Sequence, residues 1–323
     1  MASLTVSGSP HVQNSQTTKT IMWNVVVALI PALLVGIYYF GLSALAVTLT
    51  AVASCLFFEW AIQRFILKGE VTITDGSAVI TGVLLAFNLP SNIPLWAVAI
   101  GSLVAIGIAK MSFGGLGKNP FNPALVGRVF LFLSFPTFVA MSQWVNPKPL
   151  FEIADAISGP TTLSLIKQHQ ALPELTDMFL GAMGGSFGEV SALAIIIGGL
   201  YLLYRRIITW HIPVAFLGSA TIFTAILWGI DPSIYVNPLY HLLAGGMMLG
   251  AVFMATDMVT SPITRKGQII FGIGCGLLTI LFRCFGSMPE GVSFAILIMN
   301  ALVPLINKLM RPKPFGHKTI KNN

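Results

Sequence analysis

DGSAVITGVLLAFNLP (residues 75–90) and LLAGGMMLGAVFMATDMVTSP (residues 242–262) decide how this chain is built. Both are apolar runs interrupted by glycine, with Asp75 opening the first and Asp257 near the end of the second. Short or glycine-broken apolar segments at matching places in two halves of a chain point to a central site in a repeat-built membrane protein. The plainer reading of Gly245, Gly246 and Gly250 is close helix packing through small residues, which membrane bundles use widely.

Working outward, apolar runs between polar breaks place spans near 21–39, 43–63, 76–90, 95–110, 124–141, 190–204, 211–229, 240–256, 267–285 and 291–308. Crossing a hydrocarbon core of about 30 Å takes roughly 20 helical residues. The expectation is an all-α integral membrane protein of about ten transmembrane helices, five in residues 1–141 and five in 190–308. A long loop, 142–189, divides them, and a tail, 309–323, follows. An odd number of spans per half forces two halves of one fold into opposite orientations, so two inverted five-helix repeats are expected.

An even count puts both termini on one side. If that side is the cytoplasm, fifteen Lys and Arg fall inside and three, Lys148, Lys167 and Arg283, fall outside, as the positive-inside rule requires. The loop 142–189 is then extracytoplasmic, and its mixture of apolar anchors (Trp144, Leu150, Phe151) with polar turns reads as an ordered, membrane-apposed segment. The polar first 20 residues lack the basic start and apolar centre of a secretory signal, so the first span is expected to be retained.

Composition agrees. Hydrophobic residues make up 55% of the 323 and charged residues 9%, against roughly 25% charged in soluble domains. The net charge of +7 is spread singly or in pairs between apolar blocks, which encodes topology and gives no nucleic-acid surface. Cys55, Cys275 and Cys284 show no metal-ligand spacing, and the five histidines are scattered, so neither a disulfide framework nor a metal site is expected.

Asp155-Ala156-Ile157-Ser158-Gly159-Pro160-Thr161 stands out in the long loop. Asp155 can bond the amides of a following turn, and Gly159 with Pro160 sets a tight or extended path that presents the Thr161 hydroxyl. From chemistry alone, a capped turn accounts for it. The segment resembles the flavin-attachment motif D-x-x-S/T-G-A-T, in which a flavin transferase joins FMN through its phosphate to the threonine. Asp155, Ser158, Gly159 and Thr161 match, and Pro160 stands where the pattern usually has Ala. SPHVQNSQTTKTIMWNVVVALIPAL, TDGSAVITGVLLAFNLP, FGGLGKNPFNPALVGRVF, HLLAGGMMLGAVFMATDMVTSPITRKGQIIFG and MPEGVSFAILIMNALVPLI extend the likeness over nearly the whole chain. Together they resemble the D subunit of the Rnf ion-translocating electron-transport complex, related to the B subunit of the Na⁺-translocating NADH:quinone reductase.

The resemblance implies a fold similar to urea and ammonium channels, in a bacterial cytoplasmic membrane, with covalent FMN on Thr161. It implies the A, B, C, E and G subunits as partners, and electron transfer between ferredoxin and NAD coupled to outward Na⁺ or H⁺ movement. It also implies a second, noncovalent flavin, riboflavin, for which Lys118, Asn119, Asn122, Thr256 and Asp257 are candidates. The alternative for these residues is that Asn119 and Asn122 cap the fifth span while Arg128 snorkels to the interface. Glu59, Asp75, Lys110, Arg128, Asp257 and Arg283 lie near or inside apolar spans, where ionisable groups count as functional candidates. No buried acid pair is legible, and no ion path is assigned. A small-solute channel or carrier is the rival from another class.

Overall fold

A computed structural model describes residues 16–139, 144–145, 158–286 and 290–311. Among them the regular structure is helical apart from a two-residue antiparallel ladder, β1 (Trp144–Val145) against β2 (Ser158–Gly159). Asp155 and the tail 312–323 lie outside the described residues.

Thr17 starts the first helix by accepting the N–H of Thr20 at 3.2 Å. α1 (Thr18–Ala61) continues through a π turn, Ile62–Ile66. Unbroken, its 49 residues would extend roughly 70 Å. Gly41, with φ 69° and ψ −156°, breaks it. Trp23 Nε1 then donates to Thr74 O at 3.5 Å, and Gln63 Nε2 to Thr72 Oγ1 at 2.9 Å. Both ends of α1 thus meet one short stretch, so α1 is two antiparallel segments turning at Gly41.

Asp75 next accepts the N–H and hydroxyl of Ser77 at 2.8 and 2.6 Å, and Gly76 takes the left-handed turn (φ 86°) that opens α2 (Ser77–Phe87). α3 (Leu95–Leu103) follows Pro94 and runs into a second π turn, Val104–Ile108. Asn122 caps α4 (Pro123–Ser134), accepting from Ala124 N and Leu125 N, with proline at the first helical position. The span expected over 124–141 is interrupted. Pro136 lacks an N–H and steers Phe135 out of the helical region, so α4 stops and a short α5 (Pro136–Val139) begins.

Two short helices, α6 (Thr162–Lys167) and α7 (Leu175–Leu180), precede α8 (Ala192–Tyr204), which Ser191 caps. α9 (His211–Ile230) leads to α10 (Pro238–Leu243), and α11 (Met247–Leu249) continues as a π turn, Gly250–Met254. The stretch expected as one span over 240–256 is therefore two helical pieces, parted at Ala244–Gly246 where Gly245 has φ 60°. α12 (Arg265–Phe285) and α13 (Val292–Leu309) complete the set.

Five helical stretches are long and apolar enough to cross a membrane, α1 with its π turn, α3 with the turns that carry it to Phe113, α9, α12 and α13, and α2, α4 and α8 are shorter apolar helices. The outward faces carry Leu34, Leu42, Phe57, Ile222 and Leu281, which suits lipid. Helices approach through glycine. A Cβ on Gly198 would lie 2.1 Å from Ala28 O, one on Gly82 2.7 Å from Val52 Cα, and one on Gly276 2.5 Å from Phe216 O. Lipid tails are as apolar as leucine, so such close van der Waals contact, more than water exclusion, holds membrane helices together.

Candidate functional site

Three groups of polar residues sit inside this apolar frame. The first is at the end of the molecule where both ends of α1 meet α2. Lys110 follows the π turn of α3 and donates to Glu59 Oε2 and Ser77 Oγ, each at 2.6 Å. Lys110 is 2% exposed and Glu59 1%, so these charges, placed near span ends by the sequence, are buried and do not face water. Beside them lies a cavity of about 90 Å³ lined by Ser77, Thr81, Lys110, Asn119, Asn122, Thr256 and Asp257, with apolar walls including Ile21, Met22, Phe253 and Met258.

Four of the five candidates for a second flavin thus share one cavity. The fifth, Lys118, is exposed and packs near Gly114. The local bonds are also those of caps and turns. Asn119 donates to Phe121 O at 3.0 Å, Thr256 to Val252 O at 2.6 Å, and Asp257 accepts from Val259 N and Thr260 Oγ1 at 3.3 and 3.1 Å. Asn122 caps α4 and also donates to Met254 O at 3.2 Å, tying the two broken elements together.

The second group is the segment ending at Thr161. β2 is held by its ladder to Trp144 and Val145, Pro160 is exposed, and Thr161 is half-buried as the cap of α6. The Thr161 hydroxyl accepts from Ser164 N at 3.2 Å and lies 3.0 Å from Ser164 Oγ, where either oxygen can donate. Gly159 precedes it in the ladder, and Ser158 enters through its backbone pairing. Lys167, on the same helix, donates to Gly286 O at 2.6 Å. Partial burial holds its ammonium below the usual lysine range, against a smaller opposing effect of Cys284.

The third group lies between the other two and joins parts of the chain remote in sequence. Arg128 is 3% exposed and donates to Asn88 O and to the Glu290 carboxylate. It therefore does not snorkel to an interface; its guanidinium satisfies a carbonyl at the end of α2, where the helix dipole favours a cation. Arg283 does the same for α10, donating to His241 O at 2.5 Å and Ala244 O at 2.8 Å. Glu189 is 3% exposed. A Cβ on Gly246 would come within 2.5 Å of its Oε2, so this glycine leaves room for a carboxyl group, whereas one on Gly250 would meet Val292 Cγ1 at 2.4 Å, which is packing.

Glu189 and Glu290 also line one small cavity of about 10 Å³ with Thr161, Thr162, Gly184, Gly185 and Gly245. Two carboxyl groups thus share one cavity, Glu189 buried and Glu290 partly exposed and paired with Arg128. The signal for Glu189 was faint: GGSFGE closes the long loop at 184–189, and only the fold shows Gly188 so close to Phe87 that a Cβ would lie 2.1 Å from its Cγ.

Residues 5–316 match the model of the NQR2, RnfD, RnfE family. The chain is 47% identical over 322 residues to the D subunit of the Na⁺-translocating ferredoxin:NAD⁺ oxidoreductase complex of Acetobacterium woodii, covering 98% of this chain and 97% of that one. It is 45% identical to the D subunit of the proton-translocating ferredoxin:NAD⁺ oxidoreductase complex of Clostridium ljungdahlii, with 97% and 96% covered. It is 41% identical to the D subunit of the ion-translocating oxidoreductase complex of Stutzerimonas stutzeri, with 92% and 91% covered.

Proposed function

Because the chain belongs to the NQR2, RnfD, RnfE family, we propose that it is the flavin-carrying membrane subunit of an Rnf-type complex, holding FMN by a phosphoester to Thr161. In this reading the complex moves electrons between ferredoxin and NAD and drives Na⁺ or H⁺ outward. The A, B, C, E and G subunits are the neighbours, and a flavin transferase installs the cofactor.

The placement of Thr161 carries the reading. Its hydroxyl sits beyond an exposed proline at the cap of α6, and its hydrogen is dispensable because Ser164 Oγ can donate in its place. As an ester oxygen it would keep a lone pair for Ser164 N–H. The residues therefore fit a phosphoester. The flavin ring supplies one- and two-electron chemistry, while the protein contributes position, hydrogen bonds and local charge. Thr161 tethers; Gly159 and the ladder through Ser158 fix the approach of the segment; Asp155 belongs to the recognition motif by sequence.

Riboflavin at the other cavity fits less completely. Lys110, Asn119 and Asn122 keep donor hydrogens and Thr256 an acceptor oxygen, but about 90 Å³ is well below the roughly 300 Å³ at which ligand pockets begin. A ring would enter only with movement of walls such as Met22 and Met258, and no step is routed through it.

The architecture we favour is ten crossings in two inverted halves, similar to urea and ammonium channels. In its support, the second segment of α1 packs on α3 as α9 packs on α12, and α3 meets α4 as α12 meets α13. The third elements each carry a left-handed glycine, Gly76 at the start of α2 and Gly245 between α10 and α11. Both termini then face the cytoplasm and Thr161 faces outward. Free solute passage, the rival function, is opposed by the buried Phe87–Phe187 edge-on pair, 5.9 Å between ring centroids, and by the Arg128–Glu290 pair. The test is to coexpress the chain with a flavin transferase and locate the adduct by mass spectrometry, with Thr161→Ala as the control that must lack it.

A further inference from the structure

We propose that Glu189 is a redox-linked proton site: it takes up a proton when an electron reaches the flavin on Thr161 and releases it on reoxidation. The inference rests on the reading of Thr161 given above, and it concerns what surrounds that residue.

Glu189 is 3% exposed, and its Oε2 has no hydrogen-bond partner among the described residues. Buried polar groups are nearly always satisfied, so one left open marks a place for a proton, a water or an ion. The cations facing it spend most of their donors elsewhere, Arg283 keeping a buried Nε–H without a partner among the described residues. Arg128, from α4, bonds Asn88 O and Glu290, and Arg283, from α12, bonds His241 O and Ala244 O. The ion pairs among the described residues are Lys110–Glu59 and Arg128–Glu290, and Glu189 is in neither. With Arg128, Arg283, Glu290 and Glu189 all ionised and His241 neutral, the group sums to zero charge. A hard cation added there would meet two guanidinium groups, whereas a proton on Glu189 adds one positive charge that an electron nearby would offset.

A route for that proton is also present. Glu290 is 21% exposed, so it reaches water, and it lines the same cavity as Glu189 and Thr161. The cavity, about 10 Å³, is near the size that holds one water. A proton can pass from bulk water to Glu290, across that water, and on to Glu189. One electron arrives from the low-potential donor of the complex, one proton comes from water on the Thr161 face, and an O–H bond forms at Glu189. Reoxidation breaks that bond and returns both. At an effective dielectric near 20, a unit charge about 10 Å from a carboxyl group changes its proton affinity by roughly tenfold, so an added electron nearby favours the protonated form of Glu189.

The test uses the assembled complex with wild-type chain, Glu189→Gln and Glu290→Gln, each checked on a denaturing gel for flavin on Thr161. Redox-difference infrared spectra are then recorded in H₂O and D₂O. A protonated-carboxyl band should appear on reduction, shift in D₂O, and vanish in Glu189→Gln while the gel band stays fluorescent. In Glu290→Gln the band should persist but exchange with D₂O at least roughly tenfold more slowly, as expected when a relay group is lost. If Glu189→Gln does not assemble, carboxyl-¹³C glutamate in the wild-type chain must move the band. A band that survives Glu189→Gln, ignores the label, or never forms while the flavin is reduced overturns the proposal. So does a flavin potential that follows Na⁺ and not pH, which would place a metal cation there. A dark gel band instead defeats the assignment of FMN to Thr161.

Discussion

Lys110 holds Glu59 and Ser77 at 2.6 Å each in a place 2% exposed, and that geometry sets what its loss should do. Lys110→Met strands a buried carboxyl group, which costs about 3–5 kcal/mol, whereas pairing it with Glu59→Leu removes both charges and should recover much of the loss. Thermal unfolding in detergent reads the difference, and a double variant no more stable than the single one would show that the two charges are not coupled. Residues of this kind were only partly legible. Glu59 and Lys110 stood out as ionisable groups near apolar spans, but their pairing depends on α1 folding back at Gly41. Thr161 could be picked out because its motif is contiguous. Glu189 could not, because what buries it is the approach of Gly188 to Phe87, a contact between distant parts of the chain.

Among helices, glycine separates contacts that matter from those that do not. Gly198→Ala would drive a Cβ to 2.1 Å from Ala28 O between α1 and α8, and overpacking of this sort costs about 1–3 kcal/mol. Gly218→Ala on α9 meets nothing within 4 Å and should change stability by less than about 0.5 kcal/mol. Equal melting temperatures for the two variants would contradict the packing described for α1 and α8. Hydropathy located these elements because lipid-facing and buried helix surfaces are both apolar. It missed the breaks at Phe135 and at Ala244–Gly246 and the π turns, since an apolar average does not register whether the backbone hydrogen bonds run on. Pro136 and Gly245 were visible as residue types, but their effect on the backbone appears only in the structure.

At the scale of the molecule, burial of Lys110 and Arg128 takes two charges from the fifteen expected inside, and burial of Arg283 takes one from the three outside, leaving thirteen against two. The count, so corrected, still leans to the side expected to be cytoplasmic. Single cysteines placed at the exposed positions of Gln170 and Arg206, in a chain lacking its native thiols, should react with an impermeant reagent from opposite sides of the membrane. Labelling of both from one side would break the inverted arrangement. The central claim, that this subunit carries electrons on flavin fixed to Thr161, is tested most directly by denaturing the protein made with a flavin transferase and examining the gel under ultraviolet light. The account predicts a fluorescent band for the wild-type chain and a dark one for Thr161→Ala. Fluorescence that persists in Thr161→Ala, or a wild-type band that stays dark, would contradict it.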